Sequence, residues 1–483
     1  MRRTTIRIRA DFIGQPRFLF VSLSGEKIWQ VYHPKNVKKY PHLQWGGETM
    51  NSIWSKTANK ISFAPLEETK STDVLIIGGG IAGILCAYRL KQAGVDCILV
   101  EADEICGGIT QNTSAKITLA HGLLYDKMIC RFGEEAAGLY AKAQQKAILE
   151  YEHLCQNIDC DFEKKDAYVY SLDNRKKIEK EVDALKSLGI KAEVSNGGDL
   201  PFSVAGAVRV TNQAQFHPLK FLYSIARDLP IYEHTKVINL MPHKAVTNHG
   251  VITFLKLIVA THFPIDNKHG GYFLKLYQHR SYVLALEGAP LLEGMWVDES
   301  NTGLSFRTWG DLLLLGGGGH RTGKDGGCWQ ELEAFAKKHY PRAKIVAKWA
   351  TQDCITLDSI PYIGQYAKQI PDVFVATGFN KWGMTNAMVA SDILCDLVQK
   401  KKNPYASVFS PSRSILRPQL AANALESVVG FMTPSTPRCP HLGCALKYNS
   451  AEHTWDCPCH GSRFDEEGNL INNPATDDHP SIQ

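Results

Sequence analysis

Near the end of the chain, Cys439-Pro440-His441-Leu442-Gly443-Cys444 and Cys457-Pro458-Cys459-His460-Gly461-Ser462 bring together four thiols and two imidazoles, with fifteen residues between His441 and Cys457. Thiolates and neutral imidazoles in one place are metal chemistry. In a [2Fe–2S] cluster, thiolates can hold one iron and imidazoles the other, and the imidazoles remove negative charge, so the cluster is easier to reduce than an all-cysteine one. The same pairs can also make a tetrahedral zinc knuckle. Gly443 and the run Cys459-His460-Gly461-Ser462 favour the cluster.

A second chemical motif lies far upstream. Asp73-Val74-Leu75-Ile76-Ile77 reads as a buried parallel strand that runs into Gly78-Gly79-Gly80-Ile81-Ala82-Gly83 and then into the helical Ile84-Leu85-Cys86-Ala87. Strand, GxGxxG and helix in that order bind a dinucleotide. Gly78 permits the tight turn, Gly80 lets backbone approach a pyrophosphate beside Ala82, Gly83 lets helix pack on strand, and the helix N-terminus supplies amide donors. A second apolar strand, Cys97-Ile98-Leu99-Val100, ends in Glu101, an acid placed to take both ribose hydroxyls and to repel a 2′-phosphate.

Further motifs say which dinucleotide. Leu257-Ile258-Val259-Ala260-Thr261 precedes His262, Asp358-Ser359-Ile360-Pro361-Tyr362-Ile363-Gly364 follows, and Val373-Phe374-Val375-Ala376-Thr377-Gly378 leads through Gly383 into an apolar helix. By these motifs the chain resembles the FAD-dependent oxidoreductases of the D-amino-acid-oxidase type over residues 70–400. The resemblance implies an FAD site at Gly78, Gly80, Ala82, Gly83, Glu101, Ser114, Val237, Gly378 and Gly383, with residues 107–116 under the ribityl chain and ring. The C-terminal motif resembles Rieske [2Fe–2S] domains, which implies Cys439, His441, Cys457 and His460 as ligands and a disulfide between Cys444 and Cys459. The whole chain is similar to a bacterial subgroup in which such a flavoprotein is fused to a Rieske domain.

Composition agrees with this organisation. The 483 residues, 44% of them apolar, suffice for two or three cores. A formal charge of +5 spread along the chain, without an aromatic-basic motif, points away from a nucleic-acid partner. Outside residues 439–459 the cysteines are scattered through apolar or helical contexts, as in a reducing compartment, and no apolar run reaches the ~18 residues of a membrane span. A cytoplasmic protein is expected. The expected fold is an α/β Rossmann-like FAD domain interleaved with an antiparallel-sheet substrate domain, followed by a linker at 401–437 and a small all-β Rieske region at 438–483.

Residues 1–49 carry nine Lys or Arg against three acids and have no amphipathic period. They are expected to be a non-native or disordered extension, because Trp45-Gly46-Gly47-Glu48 is what a purine-rich ribosome-binding site before a Met50 start codon looks like when translated. Residues 132–157 and 175–188 read as helices, and 273–315 as the strands of a sheet that would roof the flavin. Gly316-Gly317-Gly318-Gly319-His320-Arg321-Thr322-Gly323 reads as a loop, since no helix N-terminus follows closely enough to make a second dinucleotide site. One short helix, 419–429, is expected in the linker.

Two departures from the family patterns matter. The resemblance predicts a substrate-gripping Arg shortly before Asp358, yet Asp353 stands there. An acid cannot bind a carboxylate, so plain amino acids are expected to be poor substrates unless Arg307 takes over. The Rieske region also lacks most of its base strands and its apolar closing strand, so the scaffold that orients the ligands is expected to be truncated.

The implied activity is oxidation of a small amine- or hydroxyl-bearing substrate by hydride transfer to FAD, with the cluster relaying single electrons to or from a partner protein or quinone-like acceptor. Lys116, His121 and Arg307 are the catalytic candidates, Lys116 first, because it follows the ribityl segment; His262 and Tyr282 are nearby alternatives. A flavo-iron-sulfur electron-transfer protein without its own substrate is the rival reading. A mononuclear-iron oxygenase is set aside, because Asp266-Asn267-Lys268-His269 lacks the second histidine that such a site needs.

Overall fold

The structure is a computed structural model that describes residues 50–267, 269–300, 302–434 and 437–479. The expectations for residues 1–49 lie outside the described residues. Lys70–Ile77 pairs in parallel with Cys97–Val100 on one side and Val251–Val259 on the other, and these strands centre an eight-stranded sheet. Their near-continuous apolar runs follow from burial on both faces. Ile81–Gln92 and Gly383–Val398 pack together in the main core against this sheet.

A nine-stranded sheet forms the second layer, in the order Lys344–Thr356, Leu276–Glu287, Leu312–Arg321, Ser305–Trp309, Met295–Asp298, Glu163–Ser171, Gly206–Gln215 and Lys116–Ile117, with Ala192–Ser195 beside Gly206–Gln215. The glycine run at 316–323, expected as a loop, is largely strand: Leu312–Arg321 continues through it. Its glycines are there for close approach. A Cβ on Gly318, where φ is +59°, would lie 2.1 Å from the carbonyl oxygen of Cys328, at the start of the helix Cys328–His339. The helix expected at 132–157 is Glu134–Leu154, preceded across Gly133 by a separate helix, Tyr125–Phe132, and the helix expected at 175–188 is Arg175–Ser187.

Residues 401–437 are less of a linker than expected. Phe409 is fully buried and stacks on Tyr140 with ring centroids 5.3 Å apart. Arg413 donates to both carboxylate oxygens of Asp358, at 2.7 and 2.8 Å, and its guanidinium lies 4.0 Å over the Tyr362 ring. The helix Pro418–Met432 is longer than expected, and Asn423 on it donates to the carbonyl of Leu274 at 3.3 Å.

The C-terminal region is a four-stranded antiparallel sheet of very short strands: Lys447–Asn449, Thr454–Asp456, Arg463–Phe464 and Leu470–Asn472. The closing strand expected to be missing is present in miniature as Leu470–Asn472. So few residues enclose only a small core, and a unit of this size draws stability from what it packs against. It leans on Leu276–Glu287 of the large sheet. Glu452 accepts from Arg280 Nε (2.9 Å), Arg463 Nη2 (2.8 Å) and the Tyr282 hydroxyl (2.9 Å), and Arg463 Nε donates to Asp456 at 3.0 Å. Burial pushes the Glu452 carboxyl up, but Arg280 and Arg463 outweigh it and hold it at about 2. Backbones also meet closely, since a Cβ on Gly323 would lie 2.6 Å from Pro458 N.

Among the described residues no helix is long and apolar enough to cross a membrane.

Changing Glu452 to Gln leaves Arg280 and Arg463 buried beside a neutral group, and breaking a buried charge network of this kind costs about 3 kcal/mol. Limited proteolysis is expected to cut residues 437–479 faster in Glu452→Gln than in the parent chain, while the two large sheets keep their protection.

Candidate functional site: a dinucleotide cleft beside two cysteine-histidine loops

A cleft of about 830 Å³ opens at the carboxyl ends of the parallel strands, where open α/β sheets bind their ligands. Gly78 turns with φ +110°, and a Cβ there would lie 2.6 Å from the carbonyl oxygen of Ala260. A Cβ on Gly83 would lie 1.9 Å from Gly78 O, so only glycine lets the helix sit on the loop. The Ile81 amide donates to Thr110 Oγ1 (3.1 Å), a tie from the next loop that the glycine motif does not announce. Glu101 accepts from the amides of Gly79 (2.6 Å) and Asp103 (3.1 Å), and burial pushes its carboxyl up.

Gly78, Gly80, Ala82, Glu101, Ser114, Val237, Gly378 and Gly383 all line the cleft, whereas Gly83 serves helix packing behind it. A glycine cradle that any side chain would fill, followed by a carboxylate at the next strand end, fits a dinucleotide with an adenosine ribose.

The three catalytic candidates separate. Lys116 lines the cleft, and burial together with the charge of Arg307 pushes its ammonium down to about 7; its Nζ lies 3.3 Å from Ser114 Oγ. His121 also lines the cleft, but both ring nitrogens are engaged, Nδ1 with the Tyr140 hydroxyl and Nε2 with Thr118 O, each at 2.7 Å. Burial lowers its pKa to about 3, and the neutral ring stacks on Trp382 at 4.8 Å. This geometry holds the His121 ring fixed in the cleft wall.

Arg307, the third candidate, lies apart from the other two. It is outside the cleft and fully buried, donating to the carbonyls of Ser114 (2.6 Å), Ala115 (2.8 Å) and Phe216 (3.4 Å), with its guanidinium 5.2 Å over the Trp54 ring. Its donors are spent on the segment beneath the cleft.

The two C-terminal loops converge. Cys439 and Cys457 lie in one buried cluster, and each shifts the other: Cys457 lowers the pKa of Cys439, and Cys439 raises that of Cys457. The rings of His441 and His460 lie 5.0 Å apart at 90°. Cys444 and Cys459 form a disulfide. The sulfurs of Cys444, Cys457 and Cys459 lie within 4.8 Å of one another, but the disulfide occupies two of them, so Cys457 and Cys439 are the available thiolates.

His460 is 2% exposed, and neither of its ring nitrogens has a hydrogen-bond partner among the described residues. Burial lowers its pKa to about 3, so it is the neutral imidazole that a metal requires. Two adjacent thiols and two adjacent imidazoles, one with both nitrogens unsatisfied in the interior, fit a mixed-ligand cluster. The Ser462 hydroxyl is near enough to lower the pKa of Cys439, and it accepts from the Ala475 amide at 3.0 Å.

The histidine side of these loops faces the large domain. His441 Nε2 bonds Asn267 Oδ1 at 2.8 Å, which places that ring's proton on Nε2 and its lone pair on Nδ1. Gln278 donates to the carbonyl of His460 (3.1 Å) and of Asn473 (2.8 Å), and its own Oε1 lies 3.1 Å from His262 Nε2 in the cleft wall. Gln352 completes the junction by donating to Gln278 Oε1 (2.7 Å) and to Gly461 O (2.9 Å). Asn473 donates to the Thr261 carbonyl at 2.8 Å, and residues of 470–478 line one wall of the cleft. None of Asn267, Gln278, Gln352 or Asn473 belongs to a sequence motif. The only available signal was the run Asp266-Asn267-Lys268-His269, read for a different chemistry.

Fold and site together define a flavin oxidoreductase joined to an iron-sulfur region. The chain belongs to the FAD dependent oxidoreductase family, whose model matches residues 73–397, and residues 432–483 match the Rieske [2Fe-2S] domain. It is therefore an FAD enzyme with a Rieske centre, and the zinc alternative falls.

The chain is 34% identical to YhfW of Bacillus subtilis strain 168, described as a Rieske 2Fe-2S iron-sulfur protein, over 89% of this chain and 96% of that one. Gamma-glutamylputrescine oxidoreductase of Escherichia coli K12 is 22% identical over 73% of this chain and 88% of its own length. Among solved structures, glycine oxidase of Geobacillus kaustophilus shares the fold with a TM-score of 0.60 at 18% identity, over 71% of this chain and 99% of that one.

Two outcomes test the site. Glu101→Arg replaces a ribose acceptor with a donor and is expected to strip most FAD from the purified protein, read as the ratio of visible to protein absorbance. Ser462→Ala removes the hydroxyl at Cys439 and is expected to lower the cluster's midpoint potential in a titration followed by electron paramagnetic resonance.

Proposed function

We propose that the chain oxidises a small amine- or hydroxyl-bearing substrate and couples that oxidation, inside one polypeptide, to single-electron exchange with an outside acceptor. FAD supplies two-electron hydride chemistry at the cleft, and the [2Fe–2S] centre supplies one-electron chemistry at the neighbouring loops. The observation that carries this reading is Gln278. It is hydrogen-bonded at once to His262 in the cleft wall and to the backbone of the ligand His460.

The remaining residues have plain tasks in this reading. Gly78, Gly80 and Glu101 hold the dinucleotide, and Cys439, His441, Cys457 and His460 hold the cluster. Lys116, buried with a depressed ammonium pKa in the cleft, is the residue able to hold or release a proton near neutral pH. His121 and Arg307 brace the wall. The acceptor is a partner protein or a quinone-like molecule. Cytoplasmic location is proposed from the buried cysteines spread through the flavin domain, such as Cys86, Cys97, Cys106 and Cys354.

The cleft extends from Glu101 at the ribose end to Asp353 and Lys381 on the sheet side, a reach that favours substrate turnover over electron transfer alone. Anaerobic mixing with a panel of amines and hydroxy compounds tests this. Bleaching of the flavin band followed by a reduced Rieske signal is the expected result, and a flavin that no member of the panel reduces would leave the pure electron-transfer reading standing. Gln278→Leu is expected to retain both chromophores and to slow the appearance of the Rieske signal after photoreduction, with the flavin bleaching itself unaltered.

A further inference from the structure

Asp353 has no task in the chemistry above. It stands in the strand Lys344–Thr356, opposite His279 in the register with Leu276–Glu287, and lines the cleft beside Thr351 and Lys381. The turn bearing Lys381 is brought to it by the Asn380 amide, which donates to Cys354 O at 3.1 Å. Burial pushes the Asp353 carboxyl up to about 6, and the charges of Lys381 and Arg280 draw it back.

Those cations act on it through space. Among the described residues no hydrogen bond reaches the Asp353 carboxylate, and Arg280 places its donors on Glu452. Arg307, the cation that would have replaced a carboxylate clamp, is bonded elsewhere to main-chain carbonyls. A carboxylate in a cleft wall without donors bears a desolvation cost that a ligand can relieve by bringing N–H groups of its own. A ligand carboxylate would add like charge at the same point; an ammonium would add charge-assisted hydrogen bonds.

We propose that Asp353 is the specificity-determining anchor for a cationic group of the substrate, an ammonium remote from the carbon that is oxidised. The substrate class is then a small diamine or aminoalkyl compound in place of an α-amino acid. Glycine, whose carboxylate adjoins its only amine, is a poor ligand for such a wall. The inference rests on the proposed function, because it presumes that the cleft holds flavin and substrate together.

The test is an anaerobic titration of the flavin-loaded protein with n-butylammonium chloride, sodium butanoate and n-butanol, read as a shift of the visible flavin band. The expected result is that n-butylammonium binds about tenfold or more tightly than either other probe, the margin that one charge-assisted hydrogen bond provides. Asp353→Asn is expected to erase that margin. Butanoate or butanol binding as tightly as n-butylammonium to the parent protein overturns the anchor without recourse to any variant, and so does a margin that survives in a flavin-loaded Asp353→Asn. A parent protein that carries no flavin shows itself in the starting spectrum; it overturns the proposed function, and the anchor falls with it.

Discussion

The carboxylate of Glu452, shut away from water between Arg280 and Arg463, is the interaction on which the two halves of the molecule depend. Its side chain is 9% exposed and those of the two arginines 3% and 5%, so each charge needs a partner: Arg280 and Glu452 pair with each other, and Arg463 pairs with both Glu452 and the buried Asp456. Arg280 comes from the large nine-stranded sheet, whose one parallel pair among the described residues is Met295–Asp298 with Glu163–Ser171, and Arg463 from the miniature one. A junction of this kind fixes register as well as adhesion, because the planar guanidinium groups meet the carboxylate in few geometries. Once the register is set, Gln278 two residues along the same strand falls opposite the backbone of His460, and Asn267 falls opposite His441.

This arrangement explains a shortage. The C-terminal strands are two or three residues long, too few to orient four metal ligands by themselves. The orientation is supplied from outside, by Gln278, Gln352 and Asn267 of the flavin domain. Sequence inspection from the ligands outward finds a domain with its foundations missing; the structure finds the foundations on another part of the chain.

That contrast sets the boundary of what the sequence made legible. The glycine loop, Glu101 and the four metal ligands were legible because their chemistry is local: a turn, a strand end or a short loop dictates the residue type within a few positions. Gln278, Gln352, Asn267 and Asn473 were not, because glutamine and asparagine acquire meaning only from what long-range folding places against them, and nothing in their neighbours marks them. Arg307 misled for the same reason. An arginine near a cleft looks like an anion clamp until its donors are seen to be taken by Ser114, Ala115 and Phe216. The run at Gly316 misled differently, because glycines that leave room for a helix resemble glycines that form a loop.

Gln278 and Arg280 lie 182 and 172 residues upstream of their partners His460 and Glu452. During synthesis the nearly complete flavin domain therefore leaves the ribosome before any cluster ligand does, and domains of this size fold as units, N-terminal first. The cysteines and histidines emerge onto a surface already shaped to receive them. Order at the ligand loops is thereby contingent on the first domain: until that domain has folded, neither Gln278 nor Asn267 is in place to hold them.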